Sequence, residues 1–204
     1  MAYGFLDIAV TPSVRAAQAE MGADAMWADF RGHRDFDRFT DAETAFIAGR
    51  DSFYMASVSE TGWPYVQHRG GPSGFLKVLD DRTLAFADYR GNRQYISTGN
   101  FAANDRACLI LMDYPSRSRL KIYAHVEKVA IGDDPGLTGQ VTDNAYKGKL
   151  ERIFRLRLAS FDWNCQQHIT PRFTQAEVVA AIDPLQKRLA ELEAENAELR
   201  ARMD

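Results

Sequence analysis

The chain has 204 residues, of which 46% are hydrophobic and 26% charged, a composition typical of a folded globular protein and not of a disordered one. Its formal net charge of −3 argues against a nucleic-acid-binding protein. The sequence shows neither an apolar run of membrane-spanning length nor a basic, apolar leader, so we expect no membrane contact and a cytoplasmic location.

The first part of the chain, residues 1–50, has helical signals. Good helix formers predict a helix over 13–21. A second helix is predicted over 41–48, where Thr40 has the spacing of an N-cap and Glu43 completes a capping box. We therefore expect residues 1–50 to form a helical segment that packs on the following domain.

Residues 51–173 have the pattern of a sheet domain. Short runs with alternating polarity are separated by glycine, proline and aspartate, which predicts an antiparallel meander. We expect strands over 53–58, 65–69, 75–79, 83–87, 107–112, 120–131 and 153–161, and short helices over 95–103 and 143–150. The apolar run 107–112 predicts a strand that is buried on both faces, and short strands flanked by helices indicate an α+β fold built on a small barrel.

The two cysteines, Cys108 and Cys165, lie far apart in the sequence. Cys108 lies within an apolar run, where a cysteine usually acts as a small buried hydrophobic residue. We favour two free thiols over a disulfide, because disulfides are rare in the reducing cytoplasm.

The tail, residues 174–204, has a helical repeat. Thr174 and Glu177 have capping-box spacing, and the pair Asp183–Pro184 predicts that the helix restarts there. A heptad then places Ile182, Leu189, Asn196 and Met203 at position a, and Leu185, Leu192 and Leu199 at position d.

Leucine at d with a single asparagine at a is the pattern of a parallel two-stranded coiled coil. In a homodimer, Arg188 at position g would face Glu193 at position e, and Glu195 would face Arg200. The alternative is a single amphipathic helix docked on its own domain.

Two polar segments predict a site for a small anion. In the strand 65–69, Tyr65, Gln67 and Arg69 share one face, and glycines follow at once. In the segment 86–97, an apolar strand leads into a helix, and Arg90, Asn92, Arg93 and Gln94 lie at that junction. Backbone N–H groups and arginines at a helix start suit a phosphate monoester. A solvated edge strand and a charged surface turn are the alternatives.

The sequence gives no motif for a nucleotide, metal or nucleophile site. The sequence has neither a Walker lysine motif nor a Rossmann glycine pattern, so nucleoside triphosphates and dinucleotides are not expected. The spacing of His68 and His168 does not resemble a metal site, and no nucleophile motif occurs.

Four ordered motifs carry a resemblance that covers about residues 40–175. They are GWPYVQHRGGP at 62–72, YRGNRQY at 89–95 with Gly99–Asn100, LMDY at 111–114 and DWNCQQHI at 162–169. With these motifs the chain resembles the predicted flavin-nucleotide-binding branch of the pyridoxamine 5′-phosphate oxidase-related proteins.

The resemblance implies an FMN-binding split β-barrel and a homodimer with FMN between the subunits. It places Arg69 and Arg93 at the FMN phosphate, Arg119 against the flavin of the neighbouring subunit, and Trp163 at the ring. The implied cofactor-binding set is Gln67, Arg69, Phe86, Ala87, Asp88, Asn92, Arg93, Gln94, Arg119, Trp163 and Asn164. His168 is the candidate for a proton relay, with a loop hydrogen bond as the alternative role.

The departures from the oxidases concern the substrate. The oxidases have a serine and an Arg-Lys pair where this chain has Gly91-Asn92-Arg93, and their late arginine and histidine are replaced by Asn164, Gln167 and His168. We therefore expect an FMN-dependent oxidoreductase of unknown small-molecule substrate and not a pyridoxamine-phosphate oxidase. A flavin-binding sensor or carrier without turnover, or a binder of haem or a deazaflavin on the same fold, is the alternative.

Overall fold

The structure is a computed structural model that describes residues 4–27, 37–163 and 166–203. The chain divides into two compact units. The first extends to Asp113 and resumes over Ser118–Gln166, and the second comprises Tyr114–Arg117 and the chain from Gln167 onwards.

Helices lie before the sheet, between its strands and at the end of the chain. The predicted helices over 13–21, 41–48 and 95–103 are confirmed, and three short helices, α1, α3 and α6, were not predicted. The bounds are α1 Phe5–Ala9, α2 Pro12–Glu20, α3 Asp24–Trp27, α4 Asp41–Ala48, α5 Ile96–Ala103, α6 Pro135–Val141 and α7 Gln175–Ala201.

The sheet has seven strands in the order β2-β1-β5-β6-β7-β4-β3, and every neighbouring pair is antiparallel. The α+β fold class is thus confirmed. Consecutive strands pair as the meander predicts, except that β2 does not pair with β3, nor β4 with β5. The strands are β1 Ser52–Val58, β2 Pro64–Gly70, β3 Lys77–Asp80, β4 Thr83–Tyr89, β5 Arg106–Asp113, β6 Ser118–Val129 and β7 Leu150–Trp163.

The sheet is rolled, because residues from its two ends meet. Arg69 on the edge strand β2 forms an ion pair with Asp88 on β4, although four strands lie between them in the sheet order. Inside the roll, the Phe53 ring of β1 lies 5.5 Å from Phe75 and 5.3 Å from Phe86, measured between ring centroids. The sheet therefore forms a barrel around an aromatic core.

The strand that is buried on both faces is β4 and not β5, which corrects the prediction for 107–112. Along β5, Leu109 and Leu111 are buried in the barrel core, whereas Cys108 is only partly buried. On β4, Phe86 packs inside the barrel and Ala87 packs in a second cluster under helix α6. The second apolar layer covers β4 together with Val129 of β6 and Ile153 of β7, but it does not reach β5. The polarity pattern of a single strand could not reveal this layer.

The helix predicted over 143–150 does not form. The helix of this region is α6, which the Asp134 carboxylate caps by accepting a hydrogen bond from the Leu137 N–H at 2.9 Å. After α6 the chain runs beside β4, where the Lys149 carbonyl accepts a hydrogen bond from the Arg90 N–H at 2.8 Å. This tertiary hydrogen bond holds the segment extended as it enters β7.

The predicted restart of the C-terminal helix at Pro184 is also wrong. Helix α7 begins after the Thr174–Glu177 capping box and runs through Pro184 without a break over 27 residues. A proline inside a helix removes one backbone hydrogen bond but does not have to end the helix. Among the residues that the structure describes, no helix has the length and apolarity to cross a membrane.

Helix α4 is held to the barrel through a buried carboxylate. Glu43 is 4% exposed. Its carboxylate accepts hydrogen bonds from the Thr40 N–H at 2.8 Å, the Thr40 hydroxyl at 2.6 Å and the Trp163 indole N–H at 2.6 Å. Burial raises the pKa of Glu43, but the hydrogen bonds from Thr40 and Trp163 outweigh it, so the pKa lies below its ordinary value of 4.5.

Replacing Glu43 with glutamine should lower the free energy of unfolding by about 1–3 kcal/mol at pH 7, because an amide has only one oxygen to accept these bonds. Because the pKa of Glu43 is lowered in the fold, its stabilising effect is present above pH 4.5 and is lost as the pH falls through the folded-state pKa. Urea unfolding of the wild type and E43Q at several pH values measures this difference. A difference that stays constant into acid would contradict it, and the exposed Glu60→Gln serves as the control.

Candidate functional site

A small cleft of about 50 Å³ opens between strand β2, the end of strand β4 and the start of helix α5. Six of the eleven residues predicted to bind the cofactor line it, namely Gln67, Arg69, Asp88, Asn92, Arg93 and Gln94. Tyr65, Tyr89, Gly91, Tyr95, Ile96, Ser97, Thr98 and Glu151 complete the lining.

Strand β2 supplies one wall of the cleft. Its burial alternates, so that Tyr65, Gln67 and Arg69 are partly buried while the residues between them are exposed. The Ser97 hydroxyl of helix α5 donates a hydrogen bond to the Gln67 side-chain oxygen at 2.9 Å. The expectation that these three side chains share one face is confirmed, and helix α5 is fixed against that face.

A buried charged group forms the floor. The Asp88 carboxylate accepts from Arg69 Nη1 at 2.5 Å, and Arg152 Nε lies 3.3 Å from its other oxygen. Burial raises the pKa of Asp88 in spite of the two arginines, and burial lowers the pKa of Arg69, with Arg152 lowering it further. An arginine nevertheless stays protonated, so the floor contains two cations and one carboxylate.

Glu151 joins the floor to the rim. Its carboxylate accepts from Arg90 Nε at 2.7 Å, from Arg152 Nη2 at 2.9 Å and from the Tyr95 hydroxyl at 3.2 Å. The hydrogen bond from Arg90 is the main reason that the pKa of Glu151 is lowered. Glu151 is therefore ionised at neutral pH, and it holds both arginines in place.

The turn between β4 and α5 has a constrained backbone. Arg93 and Tyr95 have φ values of 64° and 54°, which residues other than glycine rarely adopt. The Asn92 side-chain oxygen stabilises the turn by accepting from the Gln94 N–H at 3.1 Å. Tyr95 is the N-cap of α5, and no side chain caps the helix there. Strain of this kind is common where a loop is shaped to hold a ligand.

The arrangement suits a compact anion. Arg69 Nε is buried and has no hydrogen-bond partner, and a buried donor without a partner is costly unless a ligand or water satisfies it. Arg93 is exposed, and within the described ranges no carboxylate pairs with it. Backbone N–H groups at the uncapped start of α5 add further donors. A phosphate group would satisfy all three features.

The remaining predicted residues lie elsewhere. Phe86 is in the barrel core, and Ala87 is in the cluster under α6. Trp163 packs edge-on against Phe46 at 4.7 Å and donates to Glu43. Arg119, near the start of β6, has a buried Nε without a partner. The assignment of these four residues to a cofactor therefore stays a prediction.

Further predictions concern Asn164, the two cysteines, His168 and metals. Asn164 and Cys165 are outside the described residues, whereas Cys108 has a free thiol. His168 belongs to the second unit, where its φ is 64°, and its role stays a prediction. For metals, the described part of the chain contains no cluster of three or more histidine, cysteine, aspartate or glutamate side chains that could hold an ion.

Sequence reasoning missed Arg152 and Glu151. Arg152 lies opposite Asp88 in the β4–β7 register, and it also donates to the Thr98 hydroxyl at 3.1 Å. Both residues lie just before the predicted strand 153–161, and no local signal joins them to the segment 86–97. Only the pairing of β4 with β7 brings them to the cleft.

One family model matches this chain. The model of the family described as pyridoxamine 5′-phosphate oxidase matches residues 39–152, more than half of the chain. Among curated proteins, no significant match was found.

Solved structures resemble this chain at low sequence identity. HupZ of Group A Streptococcus is 12% identical, with 66% of this chain and 99% of that chain covered and a TM-score of 0.51. An FMN-binding protein from Syntrophomonas wolfei is 14% identical, with 75% and 95% covered and a TM-score of 0.44. General Stress Protein 26 from Bacillus anthracis is 13% identical, with 64% and 93% covered and a TM-score of 0.46.

Replacing Asp88 with asparagine should lower the free energy of unfolding by about 3 kcal/mol, because it leaves Arg69 buried without a counter-charge and Arg152 with Glu151 alone. The matched control is Asp105→Asn. It removes a carboxylate that is paired with His125 but 55% exposed, and should cost less than about 1 kcal/mol. Urea unfolding measures both variants, and equal losses would contradict a structural role for the buried pair.

Proposed function

The chain belongs to the pyridoxamine 5′-phosphate oxidase family, and we propose on that premise that it binds FMN with the phosphate in the arginine-lined cleft. The observation that carries the proposal is the buried Arg69 Nε, a donor without a partner on the floor of that cleft. Family membership indicates a flavin, and the cleft has the donors that a phosphate monoester needs.

Three groups in the cleft would each donate to the phosphate from a different side. Arg69 would donate through its free Nε while Asp88 keeps its Nη1 in place. Arg93 would bind from the rim, where no described carboxylate competes for it. The first N–H groups of α5 would donate from a third direction, since no side chain caps them. Bound FMN supplies redox chemistry that no amino-acid side chain provides.

We also propose that the protein is a homodimer with FMN at the subunit interface. Tyr54 and Val58 on β1 and Val66 on β2 point outwards and are 43%, 38% and 59% exposed. Large apolar side chains exposed on adjacent strands are typical of a surface that another molecule covers. The buried Arg119 Nε is a second donor without a partner, and a flavin or a second subunit would satisfy it.

The activity that follows is that of an FMN-dependent oxidoreductase acting on a small molecule. The sequence differs from the oxidases at the positions that hold the pyridoxal substrate, so pyridoxamine phosphate is not the proposed substrate. His168 is the proposed proton relay.

Absorption spectroscopy of the purified protein tests the cofactor. Added FMN should show bands in the visible region that shift on binding and that bleach with dithionite. The absence of binding at micromolar FMN would overturn the proposal, and titrations with haem and with a deazaflavin would then follow. Reoxidation of the bleached flavin by a substrate, or its reduction by NADH or NADPH, would support an enzyme, whereas tight binding without turnover would support a carrier.

Arg93→Ala should weaken FMN binding by about 1.5–3 kcal/mol, roughly 10- to 150-fold in Kd, because it removes a charged donor from the phosphate. Riboflavin has no phosphate, so its affinity should not change in the variant. Arg106→Ala is the control, because Arg106 is an exposed arginine outside the cleft. Fluorescence titration measures both ligands, and an unchanged Kd for FMN would remove Arg93 from the site.

A further inference from the structure

The C-terminal helix α7 presents a continuous apolar stripe that nothing in its own unit covers. None of its 27 residues is buried. The stripe consists of Val178, Ile182, Leu185, Leu189, Leu192 and Leu199, with Met203 just after the helix. The exposed fractions of these side chains range from 42% for Ile182 to 88% for Met203.

The stripe follows a heptad repeat along the whole helix. Val178 precedes Leu185, Leu192 and Leu199 at seven-residue spacing and extends the d row by one heptad. The a row is Ile182, Leu189, Asn196 and Met203. Pro184 lies at position c, which faces away from the a/d seam. The unbroken helix therefore carries a seam longer than the sequence alone indicated.

We propose that α7 pairs with α7 of a second copy of this chain as a parallel, in-register, two-stranded coiled coil. In a parallel pair, a faces a, so the two Asn196 amides meet and can hydrogen-bond to each other. In an antiparallel pair, a faces d, and every d residue is leucine or valine. Asn196 would then lie buried against an apolar side chain with its amide unsatisfied.

Charges beside the seam favour the same arrangement. In the parallel pair, Arg188 at position g faces Glu193 at position e of the second copy, and Glu195 faces Arg200. In the single chain, Arg188 instead contacts Glu191 at 2.9 Å within its own helix, and both side chains are more than 60% exposed. The arginine that would pair across the interface is therefore not held by a buried contact.

The inference goes beyond the flavin site, because the coil is built from the second unit alone and its formation needs no cofactor. In a parallel coil, the N-terminal ends of the two helices lie side by side. Pairing of α7 can fail while FMN binding succeeds, and the reverse also holds, so the two proposals are tested separately.

Disulfide trapping in the full chain tests the pairing. With Cys108 and Cys165 replaced by serine, Leu199→Cys at position d should form a crosslinked dimer about tenfold faster under mild oxidation than Ala201→Cys at position f. Ala201 lies two residues away but on the outer face, so it reports random collisions. Equal rates at the two positions, or no crosslink at Leu199→Cys, would overturn the proposal. An antiparallel pair or a helix docked on its own barrel would give that result.

A charge exchange tests the register independently of the seam itself. In the Leu199→Cys chain, Arg188→Glu should slow crosslinking several-fold, because the introduced carboxylate would face Glu193 of the second copy on both sides of the dimer. Adding Glu193→Arg should restore the rate. Failure of the second change to restore the rate would contradict the parallel register. Light scattering should give twice the 23.0 kDa chain mass, and a higher multiple would overturn the two-stranded coil.

Discussion

The ion pair between Arg69 and Asp88 is the contact on which both the barrel and the cleft depend. It joins the edge strand β2 to β4 across the rolled sheet. Because the pair is buried, each charge would be costly alone, and Arg152 and Glu151 extend the pair into a network. The side chains that close the barrel are also those that line the cleft.

This double role has an energetic consequence. Arg69 and Arg152 repel each other on the floor of the cleft, and the repulsion contributes to the lowered pKa of Arg69. Asp88 and Glu151 balance the two arginines, although burial works against the ionised form of Asp88. A bound anion would give the buried Arg69 Nε the acceptor that it lacks. A ligand that binds only the folded protein stabilises it increasingly as its concentration rises above Kd, so cofactor binding and barrel stability are linked.

The capping boxes were read correctly from the sequence, whereas features set by contacts between distant elements were not. The capping boxes at Thr40 and Thr174 place helix starts, because their chemistry needs only three residues of context. About half of the cofactor-binding set that the resemblance implies lines the cleft, since its motifs at 62–72 and 89–95 lie on the strand and the turn that form the cleft walls. Arg152 was missed because its role depends on the register of β4 with β7, and 107–112 was misread because a second layer covers β4 and not β5. The helix predicted over 143–150 failed since a tertiary hydrogen bond to Arg90 outweighed weak local propensity.

Asn196 bears on how the proposed coil and the proposed barrel interface would act together. A buried asparagine pair fixes register at a cost in stability, and a helix of 27 residues has few apolar layers to offset that cost. The coil alone would therefore bind weakly but with a defined partner and direction. The exposed apolar residues of β1 and β2 would add buried area to the dimer, but they would do little to fix the register of the two chains. In the proposed dimer, formation of one interface would raise the effective concentration for the other, so each contact would strengthen the other.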